Sequence, residues 1–166
     1  MTPPKTTFLL AMSPPSNPQH FWPFFPIVFV GIWITVGLII SMMGWHWFAI
    51  RYPASTRPDG ASYNSPSTRF WFFMAGYGNV VRVIFTNEGI YFYVSFLFRA
   101  FHPPFLVPWE SVTRVEKTTR FFWPCYRIDI ADAAGKIHVI LPEKIESELL
   151  RFRKYQPDRP HANPHR

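Results

Sequence analysis

Three places in this chain carry side chains of the kind that move protons, hold metals or bind polyanions. His102 beside Pro103-Pro104 and Glu110 beside Trp109 could form an acid–base couple if ring and carboxylate met. No nucleophile or metal partner accompanies them. The prolines are therefore expected to set a bend, with His102 capping a backbone group, Trp109 filling the core and Glu110 facing water. His161 and His165 stand at i, i+4, a spacing that binds metal on a helix. Pro164 between them argues against that helix, and a solvated tail is the better reading. Gly76-Tyr-Gly78 lacks the third glycine and the following helix of a dinucleotide loop, so it is expected to be a turn. Cys125 is the single cysteine, which excludes an internal disulfide and reads as a small buried hydrophobe. There is no serine elbow and no phosphate-binding P-loop. No catalytic, metal-binding or cofactor-binding residue is assigned, and no cofactor is expected.

The strongest polar constellation is basic. Arg114, Lys117, Arg120 and Arg127 lie on neighbouring stretches, with Phe121, Phe122 and Trp123 between them. Basic groups interleaved with aromatics can bind nucleic acid. In a chain tethered to a bilayer, anionic headgroups are the nearer polyanion, and each cation near such a surface contributes on the order of 1 kcal/mol. Arg114, Lys117, Arg120, Arg127 and Trp123 are the candidate lipid or partner surface, against an ordinary solvated face; no nucleic acid is expected.

The tether is read from the other end of the chain. From Phe21 to Ile50 there is no Asp, Glu, Lys or Arg, and the stretch is apolar on every side. A helix of about 20 such residues crosses the hydrocarbon core, and only a helix satisfies its own backbone there. Trp22 on one flank and Trp45, Trp47 and Arg51 on the other are the expected interface anchors. Pro3, Pro4, Pro14, Pro15 and Pro18 keep residues 1–20 from extending the helix. The run is too long and too late for a cleaved export signal. Lys5 on one side against Arg51, Arg57 and Arg69 on the other favours a cytoplasmic C-terminal domain. Gly37 and Ser41 form a small-xxx-small pair through which a second membrane helix, in a partner or a second copy, could approach.

After residue 50 the pattern changes. Residues 51–68 are small, polar and proline-punctuated, a linker by composition. Phe70–Met74 is a short aromatic run, and Val80–Thr86 alternates, with Val81, Val83 and Phe85 inward and Arg82 outward. Ile90–Phe98 reads as a strand buried on both faces, and Val112–Thr118 as another strand. Tyr126–Ala131 and Lys136–Leu141 around Ala134-Gly135 form a β-hairpin. Pro142 then opens a helix with Glu143, Glu146 and Glu148 early and Arg151, Arg153 and Lys154 late, matching the helix dipole. Ile145, Leu149 and Phe152 form its packing face. Pro157 ends it, and residues 157–166 are expected to be disordered. The order is about six or seven strands and one amphipathic helix, a bent antiparallel sheet closed by a helix over 69–156.

Asn87-Glu-Gly-Ile-Tyr91 and Phe98-Arg-Ala-Phe-His-Pro-Pro-Phe-Leu-Val-Pro-Trp-Glu110 carry a resemblance. They resemble small bacterial membrane-anchored proteins of unknown function and, more loosely, pleckstrin-homology-like (PH-like) or GRAM-like domains, over residues 69–155. The resemblance implies a PH-like barrel and no catalytic residue, and a shared fold does not fix function. The expectation is a single-pass protein of a bacterial inner membrane whose PH-like domain is a non-catalytic module for protein or membrane interaction. Anionic headgroup sensing is the alternative, and an enzyme using His102 and Glu110 ranks behind both. Alkaline carbonate washing of membranes should leave the full-length chain in the pellet; release of intact protein into the supernatant would sink the tether.

Overall fold

In a computed structural model, residues 24–70 and 76–152 are described. The chain divides after Ile34 into two compact units. In the first, helix α1 (Phe25–Ile40) begins; none of its side chains is buried, and Phe25 stacks on Phe29 at 6.2 Å between ring centroids. The helical run continues through a π-type turn, Ser41–Trp45, into α2 (His46–Arg51). From Phe25 to Arg51 it is 27 residues long, and an 18-residue stretch of it has a mean hydropathy of 2.3, long and apolar enough to span a membrane.

The second unit is mainly β. Four strands form an antiparallel sheet in the order β1-β4-β5-β6: Ser62–Asn64, Val81–Phe85, Gly89–Val94 and Phe105–Pro108. Five form a second, in the order β3-β2-β9-β8-β7: Gly76–Tyr77, Ser67–Phe70, Gly135–Pro142, Trp123–Asp132 and Val112–Arg120. A 3₁₀ turn at Glu143–Ile145 leads into α3, Glu146–Phe152. Ile145 and Phe152 are buried and Leu149 packs against the core, the face expected from their spacing. Val81, Val83 and Phe85 point inward and Arg82 outward, again as the alternation required. The hairpin of β8 and β9 turns at Ala134-Gly135, where Gly135 takes φ +131°. Residue 157 onward, with His161 and His165, lies outside the described residues, as do Trp22, the N-terminal prolines and most of the Phe70–Met74 run.

The helix end departs from expectation. Trp45 is not an interface anchor: it is fully buried, its indole N–H donates to the Pro103 carbonyl at 2.8 Å, and its ring meets Phe105 at 4.8 Å. Ser41, Gly44, Trp45, Phe48 and Ala49 form one buried stripe at i, i+3, i+4 spacing, while Met42, His46, Trp47 and Ile50 face outward. The last turns of the apolar helix are thus a central element of the β unit. Trp47 remains exposed, and Arg51 pairs with Asp132 at 3.0 Å.

Residues 51–68 are not a free linker. Arg51 ends α2, and β1 and β2 pair into the two sheets. Residues 52–54 bond along the edge of β6, Leu106 N–H donating to Tyr52 O at 3.0 Å and Ala54 N–H to Pro104 O at 3.3 Å. Beyond them the chain lies over the outer face of the four-stranded sheet, where Arg57 stacks over Tyr93 and Gly60 abuts Ile84. This cover explains how Ile84 and Tyr91, on that outer face, are buried. Composition without periodicity reads as a linker, but a sheet face of Ile and Tyr needs covering. Ile90–Phe98 is also shorter than expected. The strand stops at Val94, and Phe96–Phe101 wind into a 3₁₀ helix. Gly76-Tyr77 is a short strand, and Pro142 closes β9 instead of opening the helix. Among the described residues there are nine strands, where six or seven were expected.

At Gly44 the helix touches β2. A β-carbon built there would sit 2.5 Å from Phe70 Cβ, near rigid atoms that cannot move aside. Gly44→Ala should therefore lower stability by about 1–3 kcal/mol, the usual cost of overpacking, read as a lower thermal midpoint of the full chain in detergent. An unchanged midpoint would contradict the packing of the helix end on β2.

Candidate functional site

The β7–β8 hairpin carries the basic residues singled out from the sequence, and its register decides what they can do. Arg114 stands opposite Asp129 and Glu116 opposite Arg127. Arg114 also pairs with Glu116 at 3.1 Å and Arg127 with Asp129 at 2.8 Å. Lys117 is drawn to the start of the C-terminal helix, 2.7 Å from Glu143 and 3.9 Å from Glu146. His138 Nδ1 donates to Asp129 Oδ1 at 2.7 Å. Burial works against the Asp129 carboxylate, but the hydrogen bonds from His138 and Arg127 outweigh it and hold its pKa below the usual value. Four carboxylates, Glu116, Asp129, Glu143 and Glu146, thus meet the cations Arg114, Lys117 and Arg127. Such exposed pairs add little stability, but they neutralise the face.

Arg120 is placed differently. It stands opposite Trp123 at the hairpin end, with its guanidinium 5.6 Å from the Phe121 ring centroid and 3.5 Å from Pro66 O. The two-residue turn between them is Phe121-Phe122, at φ 48° and 70°. Bulky residues in this left-handed region cost about 1–2 kcal/mol each, so Gly or Asn is the usual choice. Both rings point into solvent, Phe122 at 98% exposure, and Trp123 is exposed beside them. Below the tip lies a groove of about 590 Å³ whose lining includes Pro66, Arg120, Phe121, Trp123, Cys125 and Pro142. Cys125 is a buried free thiol, as expected. Trp123 is a candidate from sequence alone, whereas Phe121 and Phe122 stand there only as aromatics between the basic residues. The signal that would have found them is two aromatics where a tight hairpin demands positive φ.

His102 and Glu110 are not brought together. They lie beyond opposite ends of β6, whose four residues span about 13 Å. His102 is buried; Nδ1 donates to the Phe98 carbonyl at 2.9 Å, and Nε2 lies 3.0 Å from the Tyr77 hydroxyl. It caps the last turn of the Phe96–Phe101 3₁₀ helix, the backbone role expected of it. Trp109 fills the core and donates to Thr86 O at 2.9 Å, and Glu110 is exposed. Tyr77, the actual partner of His102, was out of reach of sequence reasoning, because nothing local links positions 25 residues apart. Its hydroxyl has one proton and two acceptors in range, His102 Nε2 and Ile40 O at 3.1 Å. Burial raises the Tyr77 pKa and lowers that of His102, the latter opposed by the Phe98 carbonyl.

Comparison of the chain with protein-family models, curated proteins and solved structures returned no match.

Folding prefers the neutral His102 ring, whereas an unfolded ring takes up its proton near pH 6.5. The unfolded chain therefore binds more protons below that pH, and stability falls as pH drops from about 6.5 toward the lower folded pKa. The thermal midpoint in detergent should decline over that window, and His102→Gln should flatten the decline. An equal slope in the variant would assign it to other groups.

Proposed function

We propose that this chain is a single-pass membrane protein whose β unit, of PH-like plan, is a non-catalytic interaction module held at the bilayer surface. The observation that carries the reading is that Trp45, Phe48 and Ala49, at the end of a helix apolar enough to span a membrane, are also core of the β unit. The C-terminal end of the apolar helix thus belongs to the module itself, which supports a module held next to its own anchor. Two antiparallel sheets followed by a packed C-terminal helix support the PH-like plan. Lys5 against Arg51, Arg57 and Arg69 supports a cytoplasmic module in a bacterial inner membrane.

The contact surface of this module is the Phe121-Phe122-Trp123 tip with the groove beneath it, and its partner is a protein. Local rules of turn chemistry are broken there without any packing gain, a pattern that belongs to functional positions. Exposed aromatics flanked by Arg120 are the residue types that anchor protein interfaces. Headgroup sensing through Arg114, Lys117, Arg120 and Arg127 has less support, because only Arg120 among them keeps clear of the carboxylates.

A photo-crosslinking phenylalanine analogue at position 122 of the full chain, in native membranes, should give one discrete protein adduct. The adduct should vanish on Trp123→Ala and should not form from the analogue at exposed position 88. Lipid adducts alone, or the same pattern from both positions, would defeat the proposed surface.

A further inference from the structure

A second arginine cluster lies on a different face, away from the carboxylates that neutralise β7 and β8. Arg82 projects from the outer face of the four-stranded sheet, opposite Tyr93. Arg57, in the segment that covers this sheet, stacks over the Tyr93 ring at 4.9 Å from its centroid. Arg99 comes from the Phe96–Phe101 3₁₀ helix. Arg57, Arg82, Arg99, Tyr91, Tyr93 and His102 line one cleft of about 370 Å³. No Asp or Glu lines it, and none of the three arginines has an ion-pair partner among the described residues. Three cations converging on one cavity repel one another and raise its affinity for an anion.

The neighbouring 3₁₀ helix says where that anion comes from. Its last residue, Phe101, lies against the apolar helix: a β-carbon on Gly37 would meet its ring at 3.6 Å, and the Ser41 hydroxyl donates to its carbonyl. The small-xxx-small pair is thus occupied by the chain itself. Gly37 and Ser41 belong to the Phe25–Arg51 helix that is long and apolar enough to cross a bilayer, so the 3₁₀ helix is held beside that span. Phe96, at 88% exposure, and Leu97 point outward from this segment, and the exposed side of the adjoining helix carries Met42, Trp47 and Ile50 around the one polar ring of His46. Rings that would be stranded in water are at home in acyl chains.

We propose that the Arg57–Arg82–Arg99 cleft binds the phosphate headgroup of an anionic membrane lipid, with its acyl chains along Phe96 and Leu97. Guanidinium groups fit phosphate oxygens in paired hydrogen bonds, and Tyr93 holds Arg57 in place by stacking. The inference rests on the reading that the helix spans a bilayer.

Full-length protein in detergent, offered phosphatidylglycerol and phosphatidylcholine in equal amounts, should retain phosphatidylglycerol about tenfold or more over phosphatidylcholine by native mass spectrometry. Arg82→Glu and Arg57→Glu, both exposed positions, should each abolish the preference, while Arg114→Glu on the neutralised face should preserve it. Inorganic phosphate at millimolar concentration should leave the bound lipid in place. Equal retention of the two lipids, loss of preference in Arg114→Glu alike, or displacement by inorganic phosphate would each overturn the proposal. Carbonate extraction of the same variants separates the two failures. Release of wild-type protein defeats the membrane reading itself, whereas a pelleted protein without lipid preference defeats this site alone.

Discussion

The burial of Trp45 is the constraint on which the rest of the β unit is arranged. An indole carries one polar group, and inside a core that N–H must find an acceptor. Pro103 O supplies it, at a bend made by two prolines, so the helix end and the entry to β6 are fastened together. Around the ring pack Phe70, Tyr77, His102 and Phe105, drawn from both sheets and from the connection between β5 and β6. Removing a buried aromatic of this size ordinarily costs about 3–5 kcal/mol, a large part of a small domain's stability. Gly44 belongs to the same arrangement, since only the absence of a side chain lets the helix approach Phe70.

Once the helix end is core, several polar groups lose their freedom. His102 is enclosed between Trp45 and Tyr77 and serves the backbone of the 3₁₀ helix. Tyr52, one residue past α2, reaches Asp132 in the β8–β9 turn, and Arg51 joins it there. These contacts tie the end of an apolar helix to the far turn of a hairpin. At the other end of β8, the Phe121-Phe122 turn of the β7–β8 hairpin projects into solvent.

Charge is distributed by register in the same way. The sheet places Arg114, Glu116, Arg127 and Asp129 as an alternating patch in which each sign has its neighbour. On the other sheet, Arg82 stands opposite Tyr93 and the covering segment adds Arg57, with no carboxylate lining the cleft they share. Two basic regions of similar composition therefore differ in electrostatic character, one self-neutralised and the other open to an anion.

The sequence by itself determined whatever is carried by unbroken local pattern. The uncharged run from Phe25 to Ile50 made the apolar helix, the alternation at Val81–Phe85 and Tyr126–Ala131 made strands, and Ile145, Leu149 and Phe152 made the packing face of the last helix. It also foretold that Trp109 is core and that His102 caps a backbone group. Tertiary structure decided what local pattern cannot encode. A Trp at the end of an apolar run has the same signature whether it meets headgroups or a protein core, and only the presence of Pro103 O and Phe105 separates the two. The segment after Arg51 has no periodicity because it covers a sheet with backbone bonds and single side chains, not with a repeating face. Whether a cation is spent on a carboxylate depends on which residue stands across the ladder. That is set by strand register and long-range pairing, and neither is written in the spacing of any one segment.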